Sequence, residues 1–94
     1  MLDIDRYLAA TIAGCEFEAR LRDLVPEARK RRLPHEGLWG VVEYLAVHGY
    51  AHKKSLFHEI RELRNMAIHR VPGLTAEKVR MMIAETNLIP QRVR

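Results

Sequence analysis

The sequence predicts an all-α domain, a small bundle of four to five helices, on three observations. Apolar residues recur at three- and four-residue spacing along most of the chain. No stretch alternates with period two over strand length. Prolines 26, 34, 72 and 90 and the pairs His48-Gly49 and Pro72-Gly73 cut the chain into helix-sized pieces. Ninety-four residues leave room for one domain, 1–94, which buries roughly 60–65% of its unfolded surface. With so small a core, a homodimer is the expected way to bury more.

The first helix is expected from Asp3, a plausible N-cap, with Ile4, Leu8, Ile12, Cys15 and Ala19 as its inner stripe. It can run to Leu24, with Gly14 a weak spot, before Pro26 forces a break. A short extra helix fits 26–33. In the next helix Leu38, Val41, Val42, Leu45 and Ala46 fall at i, i+3, i+4, i+7 and i+8, and Gly49 is the stop. Ser55 is placed as the cap of a third main helix whose stripe is Leu56, Ile60, Leu63 and Ala67. Phe57 and Ile68 lie alongside, and Val71-Pro72-Gly73 ends it. Thr75 caps the last helix, with Glu77 near its positive end and Val79, Met82 and Ile83 inward, extending to Thr86. Cys15 is expected in buried packing, Trp39 in core or interface, and Met66, Met81 and Met82 in core or dimer surface.

The net charge of +4 is unevenly distributed. Residues 1–47 carry seven Lys/Arg against eight Asp/Glu, whereas residues 48–94 carry nine against four. A basic half favours anionic partners, nucleic acid first among them. Arg29-Lys30-Arg31-Arg32 is either a solvated segment or a phosphate-backbone contact. A single cysteine excludes an intrachain disulfide or a zinc ribbon and fits a reducing, cytoplasmic location. No apolar run approaches the roughly 20 residues of a membrane span. The acidic start, Met1-Leu2-Asp3-Ile4-Asp5, is unlike a signal peptide. No membrane partner is expected.

The most informative segment is Glu62-Leu63-Arg64-Asn65-Met66-Ala67-Ile68-His69, late in the third main helix. An Arg followed five positions on by His is expected about 0.6 times by chance in this composition, but requiring Asn directly after the Arg lowers that to roughly 0.01. Arg29 and His35, six positions apart, form a similar pair, but Pro34 interrupts them. The Arg64-Asn65…His69 motif, followed by a turn and one more helix, resembles the HEPN superfamily of nucleotide-binding and ribonuclease domains over residues 38–87. The branch that continues to a tyrosine two residues after the His is excluded, because that position is Val71.

On an ideal helix Arg64 and His69 lie about 140° and about 7.5 Å apart, whereas Asn65 and His69 share a face. The resemblance implies a twofold dimer that brings two copies of each group around one cleft. It implies a metal-independent RNA endonuclease without cofactors, giving 2′,3′-cyclic phosphate ends, in a toxin or defence setting with a cognate antitoxin or other protein partner. His69 would move the 2′-hydroxyl or leaving-group proton, Arg64 would stabilise charge on the phosphate, and Asn65 would orient ribose, phosphate or His69. Arg61 and Arg70 join residues 29–32 as expected nucleic-acid contacts.

A structural explanation stands beside this one. His69 can serve the negative end of its helix. Arg64 has no acidic residue three or four positions away, so its counter-charge is a phosphate or a carboxylate from another helix. His48 and His52 have HxxxH spacing, but Gly49 breaks the helix between them and no carboxylate completes a zinc motif. The rival function is non-catalytic: a winged-helix or helix-turn-helix DNA binder reading bases through Lys78, Arg80 and Asn87, or a protein adaptor.

Overall fold

A computed structural model describes residues 5–26 and 37–90. Within them the protein is all-helical, with four helices and no strand: α1 (Arg6–Asp23), α2 (Leu38–Val47), α3 (Lys54–Ile68) and α4 (Ala76–Leu88). A single 3-10 turn, Ala51–Lys53, leads into α3. The expected helix over 26–33 and the Asp3 cap lie outside the described residues.

Helix α1 is the organising element, since α3 and α4 both pack against it and have at most glancing contact with each other. Its inward side is Ala10, Ala13, Gly14, Phe17 and Leu21, where small residues let two helices approach closely and Phe17 fills the centre. Phe17 meets Phe57 of α3 edge-on, with ring centroids 5.6 Å apart. The stripe expected inside is therefore outside: Leu8, Ile12, Cys15 and Ala19 are all exposed. Helix α1 carries two apolar faces, and the one with the smaller side chains and the phenylalanine is buried.

Local chemistry sets the ends. Asp5 caps α1, its carboxylate accepting from the Tyr7 N–H at 2.9 Å. Gly49, at φ 112°, follows α2, and the Tyr50 N–H returns to the Leu45 carbonyl at 2.9 Å, a Schellman closure. Ser55 is not a cap, because the 3-10 turn starts α3 two residues earlier than a Ser55 cap would, with Lys53 at the N-cap position. Thr75 caps α4 as expected, accepting from the Lys78 N–H at 3.1 Å. At the far end of α4, Arg20 of α1 donates to the carbonyls of Thr86 and Ile89 at 3.1 and 3.2 Å, a cation at a helix C-terminus. Val79, Met82 and Thr86 are buried, but Ile83 is 43% exposed. Trp39 is also part-exposed.

Candidate functional site

Helix α3 sends its motif residues in different directions. Its core side is Phe57, Ile60, Leu63 and Ala67. Arg64 leaves on the flank facing α1, where its aliphatic stem occupies the notch at Gly14. A Cβ at Gly14 would stand 2.7 Å from Arg64 Cγ and 2.9 Å from its Cβ and Cδ. Beyond the notch, Arg64 Nη2 meets Glu18 Oε1 at 3.0 Å. The other oxygen of that carboxylate accepts from Arg22 Nε at 2.8 Å, so Glu18 stands between two guanidinium groups. Arg64 keeps 24% of its side chain exposed, while its Nε is buried without an acceptor among the described residues. Of the two counter-charges the spacing left open, the structure supplies the carboxylate.

Asn65 and His69 lie on the exposed side of α3. His69 is the C-cap, and its N–H donates to the Asn65 carbonyl at 3.0 Å. The helix closes through Arg70, which holds a left-handed φ of 52° at the position glycine usually takes, with the Val71 N–H on the Met66 carbonyl at 2.9 Å. The expected run of α3 to Val71 is thus cut at Ile68 by this closure. Arg70 is fixed from α1: Nη2 lies 2.7 Å from Asp5 Oδ2, and the guanidinium sits 5.3 Å from the Tyr7 ring centroid. The hydrogen bond from Arg70, then that from the Tyr7 N–H, holds the Asp5 carboxyl below its ordinary range.

The remaining basic residues are partly committed. Arg61 is half-buried and donates from Nε to His58 Nδ1 at 3.3 Å, and His58 Nε2 meets Glu43 Oε2 at 2.6 Å. With Arg61 donating to Nδ1, Nε2 is the nitrogen that donates to Glu43. That hydrogen bond, and then Lys54, keeps the Glu43 carboxyl below its usual range. The Glu43–His58–Arg61 chain joins α2 to α3. The His58–Arg61 link is an i, i+3 pair on α3, but the Glu43 link is invisible to local spacing because it crosses from α2. Ser55 lines the same surface depression as His58, whose two ring nitrogens meet Arg61 and Glu43.

Arg29, Lys30, Arg31 and Arg32 lie outside the described residues. His48 stacks on Tyr44, with ring centroids 4.1 Å apart. Among the described residues no three His, Cys, Asp or Glu side chains gather around a metal position, and no helix is long and apolar enough to cross a membrane. Lys78, Arg80 and Asn87 are exposed on α4. No family model, curated protein or solved structure matches the chain.

Proposed function

We propose that the protein acts on RNA as a HEPN-type, metal-independent endonuclease. The observation that carries this is the presentation of Asn65 and His69 together on the solvent side of the α3 terminus, unencumbered by ion pairs among the described residues. Arg64 remains reachable on the adjoining flank. A neutral His69 accepts the ribose 2′-hydroxyl proton as that oxygen attacks phosphorus. A protonated His69 returns a proton to the departing 5′-oxygen, leaving a 2′,3′-cyclic phosphate. Arg64 exchanges its Glu18 contact for a phosphate oxygen. Arg70, next to His69 in sequence and held to Asp5, adds a further phosphate contact. A toxin or defence role, with a protein partner that restrains it, belongs to the same proposal. Digestion of single-stranded RNA in EDTA by wild type and His69→Ala tests it.

A second reading, a non-catalytic helical binding module, is favoured by one observation. The Gly14 notch and Glu18 give Arg64 a complete structural occupation. If that is its whole role, Arg64→Ala lowers the unfolding midpoint and leaves RNA untouched. Within this class a duplex-DNA reader is disfavoured, since α4 packs on α1 and scarcely on α3, unlike a helix-turn-helix pair.

A further inference from the structure

We infer that the outward crest of α1, Leu8, Ile12, Cys15 and Ala19, is the surface through which two copies of this chain associate, α1 against α1 and antiparallel. The crest adjoins the motif only through Ile68 and the Arg70 edge of the α3-side groove; it uses neither Asn65 nor His69 and does not depend on the RNA reading. Leu8 is 53% and Ile12 61% exposed, and Cys15 and Ala19 are exposed with them. Their spacing of four, three and four residues is the spacing of a helix–helix seam.

Grooves run along both sides of the crest. On the α4 side Ile12, Ala13 and Ile83 line a groove of about 320 Å³. On the α3 side Leu8 faces Ile68. Among the described residues the domain covers one side of α1 and leaves the other, also apolar, open, whereas an apolar helix stripe is ordinarily buried against another element.

The pattern specifies its own occupant. A twofold axis between Ile12 and Cys15 sets Leu8 of one copy over Ala19 of the other, and Ile12 over Cys15. Large side chains meet small ones at every step, and the crest, about 16 Å long, covers itself end to end. A parallel pair would instead set Leu8 on Leu8 and Ile12 on Ile12. The crest, with Ile68 46% and Ile83 43% exposed, offers an apolar patch on the order of a few hundred Å² per copy, a size that suits a weak interface between two copies and not an obligate one. An anionic membrane is a poor occupant, since Arg20 and Arg22 of α1 are already paired with Glu16 and Glu18 and α1 carries no lysine.

The same geometry brings the two Cys15 residues together. Helix axes about 8–9 Å apart and an axial offset of about 4.5 Å put their Cα atoms roughly 6 Å apart, within disulfide range.

Sedimentation equilibrium of the full chain in 0.5 M NaCl after nuclease treatment tests the proposal, the salt excluding association bridged by RNA. The apparent mass is expected to rise from 10.9 kDa toward twice that between about 1 μM and about 500 μM. Ile12→Arg, an exposed change that leaves the core intact, is expected to stay monomeric throughout. Val47→Arg, on the far helix α2 at a position 79% exposed, is expected to behave as wild type. Diamide, which accepts the two thiol hydrogens, is expected to link Cys15 to Cys15 at high concentration in wild type and Val47→Arg, and at least tenfold less in Ile12→Arg. A wild type monomeric at 500 μM overturns the proposal, as does an Ile12→Arg protein that still dimerises, or a dimer whose Cys15 residues do not cross-link.

Discussion

The stem of Arg64 lies in the space a side chain at Gly14 would fill, 2.7 Å from where that Cβ would stand. Two helices far apart in sequence are thereby registered by one absence and one presence. With the core side chains Phe57, Ile60, Leu63 and Ala67, that contact helps set the rotation of α3 on α1. Arg64 is turned toward Glu18, and the next residue, Asn65, is turned outward.

Gly14→Ala puts three stem atoms of Arg64 within 2.9 Å of the new methyl. Alanine gains about 1 kcal/mol in helix propensity, and the overpacking costs about 1–3 kcal/mol. A net loss of up to about 2 kcal/mol is expected in urea denaturation. Adding Arg64→Ala opens the notch, so the double mutant should be more stable than the two single changes summed.

Glu18 competes with any phosphate for Arg64. Glu18→Gln should tighten single-stranded RNA binding by about threefold to tenfold in a filter or anisotropy assay, equivalent to about 0.7–1.4 kcal/mol. Glu16→Gln removes the same charge two residues away, on another side of α1, from a carboxylate paired with Arg20, and should move binding much less. Equal effects would mean that net charge alone is responsible.

Arg70 occupies a glycine-type position while reaching across to Asp5. Arg70→Gly keeps the turn and relieves the backbone, which offsets the lost exposed pair, so stability should change by less than about 1 kcal/mol. If Arg70 touches a phosphate, the slope of log binding constant against log salt should fall by about 1 in magnitude.

Acid should weaken the fold through Glu43 and Asp5. Both carboxyls sit below their ordinary values of 4.5 and 3.8, Glu43 through His58 and Asp5 through Arg70. A depressed native pKa stabilises the fold above the unfolded value, and that stabilisation is lost as pH falls through the native value. Urea midpoints should be level from pH 7 to about 5 and drop below about 4.5. Glu43→Gln should flatten part of that drop.

The helical class, the extent of α2 and the Thr75 cap of α4 were legible because each rests on local spacing or a capping side chain. The orientation of α1 was not. Leu8, Ile12, Cys15 and Ala19 form the more conspicuous stripe, yet Ala10, Ala13, Gly14, Phe17 and Leu21 are inside. Close approach of two helices selects small residues, and hydrophobic periodicity gives them little weight. For the same reason Cys15 is exposed and not packed in the core.

At the site, Arg64, Asn65 and His69 stood out as a motif, and the missing local partner of Arg64 correctly required one from elsewhere. Glu18 was invisible as that partner because it is 46 residues away in sequence. The Arg70 turn was hidden by Pro72-Gly73, which offered a more obvious stop two residues later.

The most direct measurement is the digestion of single-stranded RNA by the purified protein in excess EDTA, with end-group analysis of the products. Wild type should yield 2′,3′-cyclic phosphate and 5′-hydroxyl ends and leave DNA of the same sequence intact, because DNA lacks the attacking hydroxyl. His69→Ala should lose at least about a hundredfold in rate while keeping the wild-type unfolding midpoint. RNA left intact by wild type, or cut equally by wild type and His69→Ala, would contradict the account.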